Sequence, residues 1–135
     1  MKRKKIISVI LVVMVLLLSS IPVMASSREC GFEFDVAAGI SQYAGPATKP
    51  AGSDPAYVEV YQLINSYSRD NIYFRLYKSR STSSPITETK TVNAPYSFDL
   101  NYTSSGTSYS GNTYLRGYGS AANLDGIYAC GVFWA

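Results

Sequence analysis

The chain has 135 residues, 47% hydrophobic and 16% charged, with two cysteines and no histidine. That inventory rules out Ser-His-Asp and Cys-His nucleophilic schemes and leaves a four-ligand structural zinc short of donors. The formal charge of +3 is an N-terminal property: four of the 12 basic residues and none of the nine acidic ones precede Ser26, so the rest carries eight bases against nine acids, a net of −1. Those eight bases are scattered from Arg28 to Arg116, and nucleic acid is not expected as a partner.

Lys2-Arg3-Lys4-Lys5 leads into a 13-residue apolar run, Ile6 to Leu18, and then into Val23-Met24-Ala25, the small-x-small pattern of a signal-peptidase site. The run is shorter than the about 20 residues needed to cross a bilayer. Residues 1–25 are therefore expected to be a cleavable signal peptide, and residues 26–135 one secreted, extracellular domain with a single modest core. Cys30 stands behind Ser26-Ser27-Arg28-Glu29 rather than directly after Ala25, which argues against lipid attachment, and no second apolar segment follows. No stable membrane anchor is expected after processing.

From Cys30 onward the dominant pattern is period-2 alternation, which predicts an all-β domain. Cys30, Phe32, Phe34 and Val36 share one face of a first strand, with Glu33 and Asp35 on the other. Gly39 to Pro55 holds three glycines and three prolines and reads as a long irregular connection. In a second strand Val58, Val60 and Ile64 alternate with Tyr57, Glu59 and Tyr61, and Asn65 to Asn71 supplies a turn. Ile72, Phe74 and Leu76 mark a third strand, backed by Tyr73, Arg75 and Tyr77.

Ser79 to Pro85 has the composition of a hairpin loop, and Ile86 to Val92 that of a charged edge strand. After Asn93-Ala94-Pro95, the residues Tyr96, Phe98, Leu100 and Tyr102 form the cleanest apolar face. Thr103 to Gly111 is a loop, Thr113 to Tyr118 a strand, and Ile127 to Trp134 the last strand, entered through Asn123-Leu124-Asp125-Gly126. About seven short strands with turns at this spacing predict a single small antiparallel β-sandwich, with a small barrel as the competing architecture.

A covalent staple suits a domain of this size, and export favours oxidation. Cys30 is in phase with Phe32 and Phe34, and Cys130 with Tyr128, Val132 and Trp134, so a buried disulfide between first and last strands is expected, with Gly31 and Gly131 letting the backbones approach. Free thiols and an intermolecular bridge are the alternatives.

The feature closest to a binding motif occurs twice: Tyr73-Phe74-Arg75-Leu76-Tyr77 and Tyr114-Leu115-Arg116-Gly117-Tyr118. On a strand this spacing lines up tyrosine, arginine and tyrosine on one face, suited to stacking sugar rings or gripping an acidic partner. The competing reading is a self-contained ladder in which arginine lies over tyrosine. Glu33 and Asp35 on one strand face, and Asp99 and Asp125 near turns, could supply the carboxylate pair of glycosidase chemistry, but at a spacing generic for solvated acids. Neither a metal nor any other cofactor is called for, since the chain lacks a calcium-loop pattern.

The hairpin through Ser79 to Pro85, the strand entered by Gly111-Asn112-Thr113-Tyr114 and the closing Tyr128-Ala129-Cys130-Gly131-Val132-Phe133-Trp134 resemble those of small secreted bacterial β-sandwich proteins of uncharacterised function. The resemblance covers less than half the chain, implies an exported sandwich, and transfers no active-site residue. The expectation is a non-enzymatic interaction module that engages a cell-surface glycan or protein through Tyr73, Arg75, Tyr77, Tyr114, Arg116 and Tyr118. A bacteriocin-like antimicrobial protein and a small secreted hydrolase are the rival readings, and the sequence leaves the oligomeric state open.

Overall fold

A computed structural model describes residues 27–37, 39–65, 70–81, 84–120 and 126–135. The expected signal peptide and Asn123 to Asp125 of the last turn lie outside these residues. Among them the chain is all-β, with strands β1 (Glu29–Val36), β2 (Ser41–Lys49), β3 (Ala56–Asn65), β4 (Ile72–Tyr77), β5 (Lys90–Val92), β6 (Ser97–Leu100), β7 (Gly111–Gly119) and β8 (Ile127–Trp134), and one helical turn, α1 (Ser104–Thr107). They form two four-stranded antiparallel sheets, sheet I in the order β1-β8-β3-β6 and sheet II in the order β2-β7-β4-β5.

Alternation explains the packing. From sheet I, Phe32, Phe34 and Val36 of β1, Val58 and Val60 of β3, Phe98 and Leu100 of β6, and Ile127, Ala129 and Phe133 of β8 point inward. From sheet II, Ile72, Phe74 and Leu76 of β4, Val92 of β5 and Leu115 of β7 face them. Phe74 is the keystone, its ring 5.6 Å from Phe32, 6.2 Å from Phe34 and 5.7 Å from Phe98 across the two layers. Gly117, inward on β7, leaves the space that Phe34 fills, since a Cβ there would lie 2.3 Å from the Phe34 ring. The two buried threonines are paired: Thr113 donates to the Ala47 carbonyl at 2.9 Å, and Thr87 accepts the Leu76 amide at 3.0 Å.

Three sequence expectations are corrected here. Gly39 to Pro55 is not wholly irregular, because it contains β2, whose alternation is broken by a bulge between Ala44 and Ala47 around Gly45-Pro46. Ile64 does not share a face with Val58 and Val60: a bulge between Val60 and Gln62 shifts the phase by one residue and leaves Ile64 56% exposed. Third, no Cys30–Cys130 bridge exists, and both thiols are free.

The register explains the missing bridge. β1 and β8 are neighbours, as expected, but Cys30 lies opposite Phe133 and Cys130 opposite Glu33, three positions apart, or about 10 Å along a strand. Cys30 packs against the core edge, whereas the inward phase of β8 is Ile127, Ala129 and Phe133, so Cys130 points out with Tyr128, Val132 and Trp134. Two cysteines on opposite faces of one sheet cannot meet disulfide geometry. Gly31 and Gly131 serve different ends as well. A Cβ at Gly131 would fall 2.0 Å from the Glu59 carbonyl oxygen on β3, while at Gly31 the nearest atom is an ordinary 3.8 Å away.

Two smaller differences concern extent. The expected edge strand Ile86 to Val92 is regular only over β5, though β5 does occupy the edge of sheet II. Tyr96 falls outside β6 and is 39% exposed, not part of the inner face.

Candidate functional site

The two Tyr-Arg-Tyr rows come together. β4 and β7 are hydrogen-bonded neighbours in a register that sets Tyr73 opposite Tyr118, Arg75 opposite Arg116 and Tyr77 opposite Tyr114. Because Phe74, Leu76 and Leu115 are fully buried, all six motif residues occupy the outer face of sheet II. β2 extends the patch by setting Tyr43 opposite Arg116 and Ser41 opposite Tyr118.

The rows are organised around cation–π contacts. The Arg116 guanidinium lies 4.6 Å from the Tyr118 ring, 5.8 Å from Tyr77 and 6.0 Å from Tyr43, and donates to the Tyr77 hydroxyl at 3.2 Å. Tyr73 and Tyr118 stack at 5.0 Å, Tyr43 meets Tyr77 edge-on at 6.1 Å, and the Arg75 Nε donates to the Thr89 hydroxyl. Beyond the end of the rows Arg80 lies 5.6 Å over Tyr114 and donates to the Gly45 carbonyl at 3.3 Å. Among the described residues the Tyr43 hydroxyl and Arg116 Nε are buried without a hydrogen-bond partner.

Exposure separates the six. Tyr77 is only 2% exposed, so it is a packed element of the patch and not part of an open row. Tyr73, Arg75, Tyr114, Arg116 and Tyr118 are half-buried, each presenting one side to solvent. Two arginines directly opposite each other repel unless a ring, a hydroxyl or an anion intervenes. Here rings and hydroxyls surround them, and no acidic residue occupies an outward position on β2, β4, β5 or β7.

The outer face of sheet I was not singled out in the sequence, yet it carries the most exposed aromatic groups. Trp134 packs 5.4 Å from Tyr57, and its indole donates to Glu29 at 3.0 Å. Tyr57 is 38% and Tyr61 61% exposed. The Tyr128 hydroxyl donates to Glu33 at 3.2 Å. That hydroxyl is pushed up to about 12, first by its hydrogen bond with Cys130, then by desolvation, with the Glu33 carboxylate adding to the effect. The signal for this face was present in the alternation of Tyr57, Glu59 and Tyr61 and in the outward phase of Trp134. It was masked because tyrosine and tryptophan in a strand read equally well as core.

A cleft at one end of the sandwich is lined by Arg28, Lys49, Pro50, Ala51, Gly52, Asp54 and Ala135. Its cations are engaged internally. Lys49 donates to the Pro50 and Gly52 carbonyls at 3.0 and 2.9 Å with its ammonium 4.3 Å over the Tyr102 ring, and burial lowers its pKa. Arg28 donates to the Ala135 carbonyl at 3.2 Å. The carboxylates weighed for hydrolytic chemistry do not meet in this cleft: Glu33 and Asp35 are exposed on β1, Asp99 is exposed on β6, and Asp125 lies outside the described residues. The Cys30 thiol is pushed up by burial, an effect the nearby Gly45 backbone partly offsets.

No protein-family model matches the chain, and none of the curated proteins matches it in sequence. Among the described residues no helix is long and apolar enough to cross a membrane.

Proposed function

We propose that the chain is a secreted, non-enzymatic interaction module that binds a cell-envelope glycan or protein through the outer face of sheet II. One observation carries this reading: two Tyr-Arg-Tyr segments, separated by 36 residues between Tyr77 and Tyr114, fall directly opposite each other in one antiparallel register. The resulting patch offers flat aromatic surfaces for sugar rings and arginines for anionic groups. An internal ladder engages all of these side chains, and Tyr73, Tyr114 and Tyr118, each stacked on one side, still present the other side to solvent.

The test is retention on isolated envelope material. The variant Tyr73→Ala with Tyr118→Ala removes one stacked pair and leaves the packed Tyr77 in place. Retention should fall at least about tenfold, the effect of losing about 1.4 kcal/mol of contact. Folding should lose the stacking, about 0.5 to 1.5 kcal/mol, together with the burial of two half-exposed rings and the Arg116–Tyr118 contact, so retention is compared where the variant's melting curve shows it folded. Unchanged retention in the folded double variant rules this face out as the binding surface.

A further inference from the structure

The two outer faces of the sandwich carry opposite charge. On sheet I the register places Glu29 beside Trp134, Tyr57 and Asp99 in one row, Glu59 in the next, and Glu33 and Asp35 further along. Five of the nine acidic residues of the chain thus stand on this face, and none of its outward positions holds lysine or arginine. On sheet II the outward positions hold Arg75 and Arg116 with Arg80 over Tyr114, and none of β2, β4, β5 and β7 contains an acidic residue. The chain after Ala25 nets −1, so little overall repulsion opposes contact between copies, and the polarity between faces dominates.

We propose that the acidic, aromatic face of sheet I docks on the Tyr/Arg face of sheet II of a second copy. The occupant is fixed by charge: a symmetric pairing of either face with itself would set carboxylates against carboxylates or arginines against arginines. Only the unlike pairing brings Glu33 and Glu59 toward Arg75 and Arg116 and lets Tyr57, Tyr61 and Trp134 lie against Tyr73, Tyr114 and Tyr118. Because each copy keeps one face of each kind free, the contact is head-to-tail and does not close, so copies add in stacks. The strands of sheet I total 30 residues and those of sheet II 27, which at about 3.3 Å per residue and about 4.8 Å between strands cover about 430 to 480 Å² per copy. That is below the about 800 Å² per partner of a stable complex, so stacking is weak, concentration-dependent and dissolved by salt. The inference does not rest on the glycan reading, although both draw on the same arginines.

Sedimentation velocity of the purified exported chain tests it. In about 0.02 M salt the mean sedimentation coefficient should rise with concentration, and in about 0.5 M salt it should return to that of a monomer. Glu33→Gln with Asp99→Asn discharges one face at these positions and Arg75→Gln with Arg80→Gln the other, and each pair should raise the concentration at which stacking begins at least about tenfold. Mixed in equal amounts, the two variants share one intact interface and should form dimers that grow no further. Should either double variant lose its cooperative melt, Glu33→Gln and Arg75→Gln replace them with the same expectations. A parent that stays monomeric at low salt overturns the proposal, as does a mixture that fails to give dimers. Polylysine binding to the sheet I face while the copies remain apart also overturns it and assigns that face to a basic polypeptide.

Discussion

Gly117 is where the two layers are fitted most tightly, and Gly117→Ala is the most direct test of the packing. The glycine lies inward on β7, opposite Phe74, and an added Cβ would stand 2.3, 2.7 and 3.0 Å from three atoms of the Phe34 ring. Ordinary contact needs about 3.4 Å or more, so the ring must retreat by about 1 Å. It has nowhere to go: Phe34 is 1% exposed and wedged between Phe32 at 5.1 Å and Phe74 at 6.2 Å. Overpacking of this kind costs about 1 to 3 kcal/mol, and the stiffer unfolded chain of alanine returns only about 0.4 to 1 kcal/mol. A net loss of about 1.3 kcal/mol corresponds to about 5 to 10 °C in melting temperature for a domain near 100 residues. Thermal unfolding by circular dichroism measures it. Phe34→Leu alone is destabilising through lost burial, but in the Gly117→Ala background it relieves the clash, so the double variant should be more stable than the two losses predict by about 1 kcal/mol or more. A Gly117→Ala protein that melts within about 2 °C of the parent, or two losses that simply add, would refute this account of the core.

Two further outcomes follow from side chains whose position the structure fixes. Tyr102 is half-buried with its hydroxyl unpartnered, and burial holds its pKa up at about 12 despite the opposing pull of Arg28. The unfolded chain ionises first, so this contribution to stability is complete below about pH 10 and is lost as pH rises toward about 12. Discounted for partial solvent screening the loss is about 1 kcal/mol, and Tyr102→Phe should be at least as stable as the parent at neutral pH and lack this alkaline decline. Parallel alkaline melting curves for the two proteins would contradict it. The cysteines give a simpler count: the unfolded, unreduced chain should titrate two thiols, and Cys130→Ser should leave the melting temperature within about 4 °C, against the 2 to 5 kcal/mol that loss of a native disulfide costs. Zero titratable thiols would restore the bridge.

The strands that alternate cleanly were readable because their two phases differ in polarity. Phe32, Phe34 and Val36 against Glu33 and Asp35, or Phe98 and Leu100 against Asp99, leave one assignment of faces, and the structure follows it. The candidate patch was readable for the same reason: Phe74, Leu76 and Leu115 fix the inward phase of β4 and β7 and therefore the outward one. That these two strands are neighbours, and in which register, is a property of topology that neither segment encodes alone. β2 was hidden because Gly45-Pro46 interrupts its alternation with a bulge, and Gly45 takes a φ of +124° with the Thr113 carbonyl 2.8 Å from where a Cβ would lie. Ile64 was misplaced because a bulge adds one residue without a mark in the local composition.

The cysteine error has a different origin, and it shows what alternation can decide. In β8 both phases are apolar, Ile127, Ala129 and Phe133 on one side and Tyr128, Cys130, Val132 and Trp134 on the other, so period 2 groups the residues correctly but does not say which group faces the core. Volume decides instead. The neighbouring β1 already drives Phe32 and Phe34 inward toward Phe74, and the space left for β8 beside them admits the alanine and glycine at Ala129 and Gly131, with Phe32 and the Glu59 carbonyl closing over the latter. Placing Tyr128, Cys130 and Trp134 inward would put two large rings where a methyl group barely fits. Ala129 and Gly131 thus fix the inner phase of β8, which also carries Ile127 and Phe133, and Tyr128, Cys130 and Trp134 are left on the acidic outer surface, where Cys130 lies opposite Glu33 and Gln62.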